Sequence, residues 1–389
     1  MPSPKEEVWR YVDLDLDLGE FVLPDGPGSP AGEELGTAIG PTLRAAIVDG
    51  TPRDEIEERD GWTVQPLDDP EAAEQVRAVL DVAGIPVDLD RFAAAHEAFG
   101  GEGVLVHGAA GKALEGPVHV DVEATGDGLA IFPRVLVDAA PGAEGSVVVT
   151  YHSRPTDTVL VVPQLVARVG ADARLALTVV QGWGGATWSL GQARILLERD
   201  ASLAFGEVGL GGRLSRWHLG IDLEGAGSEA RIVGAYFGDG HQTLDYRYFI
   251  RHVGPRTRSD MFLKGAVEDE ADSVFTGMIR IEADAQKTEA FQTNRNLILA
   301  DGASAQSVPN LEILANDVRC GHGSTVGPLD EDQRYYLMSR GLPRERADRL
   351  QVRGFFEEAL ARLPVPGLVP PLRERINAKY VAAQEAGRV

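Results

Sequence analysis

The chain has 389 residues, 43% of them hydrophobic and 25% charged, enough to bury a sizeable core and to divide into two or three compact parts. Its net charge of -23, with only five lysines, argues against a nucleic-acid or anionic-membrane surface, since both need clustered basic residues to displace counterions. No run of roughly 18 apolar residues is present to span a bilayer, and a single cysteine excludes an internal disulfide.

The N-terminus, MPSPKEEVWRYVDLDLDLGEF, carries acidic residues where an export signal would have a basic and then an apolar run, so a cytoplasmic location is expected. From about Ala31 to Gly101, apolar residues recur at three- and four-residue spacing in GEELGTAIGPTLRAAIVDG, PEAAEQVRAVLDVAG and LDRFAAAHEAFG. That spacing predicts helices. Asp69 ahead of Pro70 is a capping residue followed by a first-turn proline, and Gly84 and Gly100 stand where helices stop. Residues 1–101 are therefore expected to form a mostly helical N-terminal unit.

Between Glu102 and Arg319 the texture changes to short segments rich in Val, Ile and Leu, such as VLVHG, SVVVTYHS, ARLALTVVQG and ARIVGAYFG. Turns at Gly142-Ala143, Gly170 to Ala173, Asp200 to Ser202 and Gly227 to Ala230 recur at roughly 28 to 30 residues, a spacing typical of stacked repeats. Such strands admit a sandwich, a barrel or a solenoid, and the fixed period favours the solenoid, whose coils bury their apolar faces against neighbours. Residues 102–327 are assigned to this core.

Past Gly327 the pattern is helical again, over 328–389. Asp330 and Gln333 have the spacing of a capping box, Gly341 can close the helix they open, and Pro343 suits the first turn of the next. Ala347, Leu350, Phe355, Phe356, Ala359, Leu360 and Leu363 then keep to one face, and a third helix is predicted from about Pro371 to Ala386. These apolar stripes must pack on each other, on the solenoid or on a partner.

Nucleotide motifs fail on inspection. GAAGKALEG around Lys112 has Val106 where a phosphate loop needs its first glycine and Ala113 where it needs Ser or Thr, and GWGGATWS lacks the lysine, so no ATP is expected on this chain. Cys320 and His322 are the chemically suggestive pair: two apart on a strand, they project from one face, with Gly321 and Gly323 leaving space around them. One thiol cannot enclose an all-cysteine iron–sulfur cluster, so the missing ligands of such a centre must come from elsewhere, for which a partner subunit is the favoured source. A lone cysteine is also commonly a small buried hydrophobe, and that alternative stays open. A stand-alone β-solenoid carbohydrate-active enzyme is the other reading, with Asp245, Arg247, Arg256, Arg258, Asp260 and Lys264 as a conceivable sugar groove.

The run SVPNLEILANDVRCGHGSTVGPLDEDQRYYLMSRG, Ser307 to Gly341, continuing to Arg353-Gly354-Phe355, resembles the signature of the SufB/SufD family of iron–sulfur cluster assembly proteins. Its Asn-Asp-Val-Arg-Cys-Gly-His-Gly wording is closer to the SufD branch, and Glu7-Val8-Trp9-Arg10-Tyr11 is similar to the family's early Trp-Arg-Tyr segment. The resemblance implies a right-handed parallel β-helix flanked by N-terminal and C-terminal helical regions. It implies a non-catalytic scaffold subunit that pairs with SufB, and forms a homodimer when isolated as one alternative. A SufC ATPase would dock on the C-terminal helices, for which Leu329, Tyr335, Tyr336, Leu337, Leu350, Phe355, Phe356 and Leu360 are the candidates. A transient Fe-S cluster shared with SufB would form at the interface, with His322 and Cys320 as candidate contributors. Whether a flavin takes part is left open.

Overall fold

The structure, a computed structural model, describes residues 9–385 apart from 13, 27, 30–33 and 54–55. Its N-terminal part contains helix α1 (Glu34–Ile39), strands β1 (Leu43–Val48), β2 (Thr51–Pro52), β3 (Glu57–Arg59) and β4 (Trp62–Pro66), and helices α2 (Ala73–Ala83) and α3 (Arg91–Phe99). The expected helix through GEELGTAIGPTLRAAIVDG is thus only its first part. Gly40, at φ 58°, and Pro41 end α1, and the following residues become β1 by pairing in parallel with β6 (Ala113–Ala124), Leu43 beside Val118 through Val48 beside Glu123. Tertiary pairing overrides the helical spacing. The Asp69 cap and the two glycine stops are found as expected, with Asp69 accepting from Glu71 N–H and with Gly84 and Gly100 donating back to Leu80 and His96.

From here the chain winds through β5 (Gly103–Gly108), β6, β7 (Ala130–Ile131), β8 (Arg134–Ala139), β9 (Glu144–Ser153), β10 (Leu160–Val161), β11 (Gln164–Val169) and β12 (Arg174–Gly182). It continues through β13 (Trp188–Leu197), β14 (Ser202–Gly209), β15 (Leu214–Leu223), β16 (Glu229–Gly238), β17 (Thr243–His252) and β18 (Arg258–Val267). The last strands are β19 (Asp272–Ile281), β20 (Glu289–Ile298), β21 (Ser304–Ile313) and β22 (Arg319–Gly327). The strands divide into a 10-stranded sheet, ordered β2-β1-β6-β9-β12-β14-β16-β18-β20-β22, and a 12-stranded sheet, ordered β21-β19-β17-β15-β13-β11-β8-β5-β4-β3 with β7 and β10 alongside. Every pairing from β5 onward that stacks one coil on the next is parallel, giving a β-helix of about eight turns.

The turn period has a conformational origin. Gly111, Gly142, Asp172, Asp200, Gly227, Arg256 and Lys287 all have positive φ, and each stands two residues ahead of a strand of the 10-stranded sheet. Their N–H groups donate to the next coil, Gly142 to Ala171 O, Asp200 to Ala226 O and Arg256 to Gln286 O, so that the corners form one hydrogen-bonded column. Glycine accepts this left-handed conformation freely and Asp tolerates it, whereas Arg and Lys carry a strain of about 1–2 kcal/mol. Arg256→Gly and Lys287→Gly are each expected to raise stability by up to about 1 kcal/mol, glycine's unfolded-state entropy offsetting the rest. Urea denaturation midpoints that fall in both variants would contradict this.

The two ends of the stack differ. At the N-terminal end β1–β2 and β3–β4–β5 run antiparallel, and the outermost strands are two and three residues long, one holding Pro52 and the other Glu57, Glu58 and Arg59. Short, charged or proline-bearing edges resist further pairing. At the other end β21 and β22 are 10 and 9 residues long and each is the outermost strand of its sheet. Helices α4 (Glu331–Ser339), α5 (Arg344–Leu360) and α6 (Val369–Glu385) follow. No helix among the described residues is long and apolar enough to cross a membrane.

Candidate functional site

Parallel register stacks equivalent side chains into rows along the lumen. One row runs Val118, Val147, Leu177, Phe205, Ile232, Met261, Gln292 and His322, and its neighbour ends Leu203, Ala230, Ser259, Ala290, Cys320. His322 and Cys320 therefore occupy lumen-facing positions of the final coil, two residues apart on β22, as their spacing implied. Among the described residues no further coil covers them: His322 is exposed and Cys320 half-buried, packed on the lumen core. The opposite strand of that coil shows the same opening. Ile313 is 41% exposed at a register position where the preceding Ile281 is fully buried.

Inside the rim the lumen turns polar. Glu207 sits in the row of Val149 and Val179, fully buried, with Gln181 Nε2 donating to its Oε1 at 2.6 Å and the Tyr248 hydroxyl to its Oε2. Burial pushes its carboxyl up to about 8, although the bonds from Tyr248 and Gln181 pull the other way. Tyr246 stacks on Tyr236 at 4.7 Å, and the Tyr236 hydroxyl donates to Asn296 Oδ1 at 2.5 Å. Asn296 Nδ2 donates in turn to Asn294 Oδ1 at 2.6 Å. Asn294 and Asn296 are the register neighbours of Ser324 and Val326 on β22, so this buried network reaches the coil that carries Cys320 and His322. Sequence reading found the pair but not the polar lumen behind it; the only available signal was the run Gln292, Asn294, Asn296 at two-residue spacing in a strand otherwise facing a core.

The eight candidate docking residues are separated by the fold. Phe356 and Leu360, at 1% exposure, and Leu329, at 8%, pack against Val233, Ala235, Phe237 and Phe262, the outward positions of β16 and β18. Phe355 is partly buried beside Lys264, whose Nζ lies 4.5 Å from the ring centre, donates to Phe355 O and pairs with Glu358 at 2.6 Å. α6 is fixed likewise by Lys379, which donates to Leu210 O and pairs with Asp239 at 2.9 Å. Tyr335, Tyr336 and Leu350 stay exposed, at 77%, 57% and 45%, with Met338 at 44% and Leu337 half-buried. α4 starts as expected: Asp330 accepts from Asp332 and Gln333 N–H, and Gly341, at φ 90°, closes it. Gln333 bonds the Asp330 carboxylate at 3.0 Å.

The conceivable sugar groove does not assemble. Asp245 is buried in an ion pair with Arg216 on the outer face of the 12-stranded sheet, whereas Lys264 lies under α5 on the other sheet. Trp9 seals that ion pair, its ring 3.8 Å from the Arg216 guanidinium. It belongs to an N-terminal strap whose Val12, Leu14 and Leu16 are buried on the same face; Glu7 and Val8 of the expected early segment lie outside the described residues. Among the described residues no group of three or more His, Cys, Asp or Glu side chains could hold a metal ion.

Residues 122–355 match the family described as SUF system FeS cluster assembly, SufBD core domain. The chain is 32% identical over 390 residues to an iron–sulfur cluster assembly SufBD family protein of Mycobacterium tuberculosis, covering 97% of this chain and 88% of the relative. It is 29% identical over 302 residues to iron–sulfur cluster assembly protein SufD of Bacillus subtilis, covering 76% and 68%, and 26% identical over 389 residues to SufD of Escherichia coli, covering 97% and 89%.

Proposed function

Since the chain belongs to the SufBD family of the SUF iron–sulfur cluster assembly system and is SufD-like, we propose that it is the SufD-type subunit of a three-component scaffold. It pairs with SufB through the open rim formed by β21 and β22, and its C-terminal helices hold a SufC ATPase. The nascent cluster is the cargo, formed at the shared interface and held only transiently. This chain is the non-catalytic member, ATP being bound and hydrolysed by SufC, and it works in the cytoplasm.

The observation that carries this reading is the open final coil. Two long, unpaired edges present backbone donors and acceptors for another chain, and the lumen rows ending in Cys320 and His322 meet whatever closes them. With one cysteine in the chain, a cluster here needs ligands from the partner. For SufC docking, the exposed Tyr335, Tyr336 and Leu350, with Leu337, are the surface that remains; Leu329, Phe356 and Leu360 act indirectly by seating α5 on the sheet. Lys264 ties α5 to β18, Lys379 ties α6 to the residues that follow β14 and precede β17, and both would carry a displacement of the helices into the β-helix.

The test is co-expression with SufB and SufC from the same host, anaerobic purification through a tag on this chain, and measurement of co-purifying subunits and iron. Wild type is expected to recover both partners with iron, and His322→Ala to retain the partners with iron reduced severalfold. Unchanged iron would remove His322 from the site. Failure to recover either partner would reject the scaffold.

A further inference from the structure

A cavity of about 370 Å³ lies far from the rim, between the N-terminal strap, α3 and the outer face of the 12-stranded sheet. Its volume is within the range of small-molecule sites, roughly 300–1,000 Å³. The walls are almost wholly apolar: Phe21 and Leu23 from the strap, Phe92 and Phe99 from α3, and Phe132 beside the sheet. Among the described residues Arg91, at the first turn of α3, is the one charged side chain lining it, and it forms no ion pair there.

The walls are held in place without a ligand. Asp90 caps α3 by accepting from Phe92 and Ala93 N–H, and it also accepts from Gln192 Nε2 on β13 at 2.9 Å. His96, buried on the same helix, reaches Pro133 O at 3.3 Å. Beside the cavity the strap is pinned where Val22 bridges Leu129 in parallel, Val22 N–H donating to Gly128 O and Ala130 N–H to Val22 O. Despite this order, Phe99 is 60% exposed and Leu23 50%, so a rim of large apolar side chains faces water around the opening.

We propose that this cavity binds a small soluble amphipathic anion: an aryl or medium-chain acyl body among the phenylalanines, and one carboxylate or sulfonate on the Arg91 guanidinium. The apolar walls select the body by burying it, and a single unpaired cation selects one negative group over none. On a chain of net charge -23 an anion has few places to bind, which leaves this local pairing as the source of selectivity. The site is independent of the cluster-assembly rim.

The probe is 8-anilinonaphthalene-1-sulfonate, titrated by fluorescence on the full chain, with decanoate as a competitor. One saturable site per chain is expected, displaced by decanoate. Phe99→Asp, at an exposed position, should weaken the probe at least tenfold, Ala95→Leu should weaken it by filling the cavity, and Arg91→Gln should weaken it threefold or more. Tyr335→Ala, on the exposed face of α4, should leave this binding unchanged and so separates it from adventitious adsorption there. Circular dichroism and thermal midpoints confirm that each variant is folded. Absence of a saturable site, or a site indifferent to Phe99→Asp and Ala95→Leu, would overturn the proposal; indifference to Arg91→Gln alone would overturn its anionic group.

Discussion

Replacing Asp245 by alanine is expected to destabilise the chain by about 3–5 kcal/mol, the usual cost of removing one partner of a buried ion pair. Asp245 has no solvent exposure and Arg216 has 3%, and the Trp9 ring covers the guanidinium from outside. The neighbouring Arg247 adds positive charge at 5% exposure, so the carboxylate answers positive charge from two largely buried guanidiniums. A double substitution, Arg216→Met with Asp245→Leu, removes both charges and should recover part of the loss. Urea denaturation of the two variants beside wild type is decisive. An Asp245→Ala midpoint within experimental error of wild type would mean that water reaches the pair.

The second large effect is on pH dependence. The Glu207 carboxyl is pushed up to about 8 from 4.5, so between those values the folded chain keeps a proton that the unfolded chain releases. Stability therefore falls as pH rises through that window, by on the order of a few kcal/mol in total. His96 and His218, lowered to about 3, and His252, lowered to about 4, act in the opposite sense below 6.5, where only their unfolded forms take up protons. Above pH 7 they are silent. Lys379, lowered by burial, acts in the same sense as the histidines but further into the alkaline range, where its unfolded form still holds the proton that the folded form has released. The difference between wild type and Glu207→Gln isolates the carboxyl: the variant should gain on wild type steadily from pH 6 to 7.5 and level off above about pH 8. Parallel curves across that interval would show that Glu207 is not held protonated.

Much of the fold was legible because one residue type does one job repeatedly. The left-handed corner ahead of each strand of the 10-stranded sheet prefers Gly or Asp, and Gly142, Asp172, Asp200 and Gly227 show the period on the page. The same corner at Arg256 and Lys287 was invisible, since there the hydrogen-bonded column imposes a conformation that the side chain does not favour. β1 was mistaken for helix for a related reason. Its apolar spacing suits either period, and only the parallel partner β6, distant in sequence, decides between them. β6 itself carries a weaker strand signal, interrupted as it is by Gly116 and Pro117 at a register irregularity.

For the candidate site, two-residue spacing sufficed to put Cys320 and His322 on one face, but not to show that the face is a lumen left uncovered. That depends on which coil is last. The apolar stripe of α5 was equally plain, yet its occupant could not be read from it. β16 and β18 carry apolar residues on both faces, the mark of strands covered on two sides, and Phe356 and Leu360 supply that cover.

The unequal ends of the β-helix also limit how many chains can line up. A solenoid open at both ends could add copies indefinitely and grow into a filament. Here one end is finished by short antiparallel strands bearing proline and charge, so a single joint at β21 and β22 uses up the capacity for end-to-end growth. An axial stack that includes this chain and a partner finished in the same way stops at two members, without any separate device to count them.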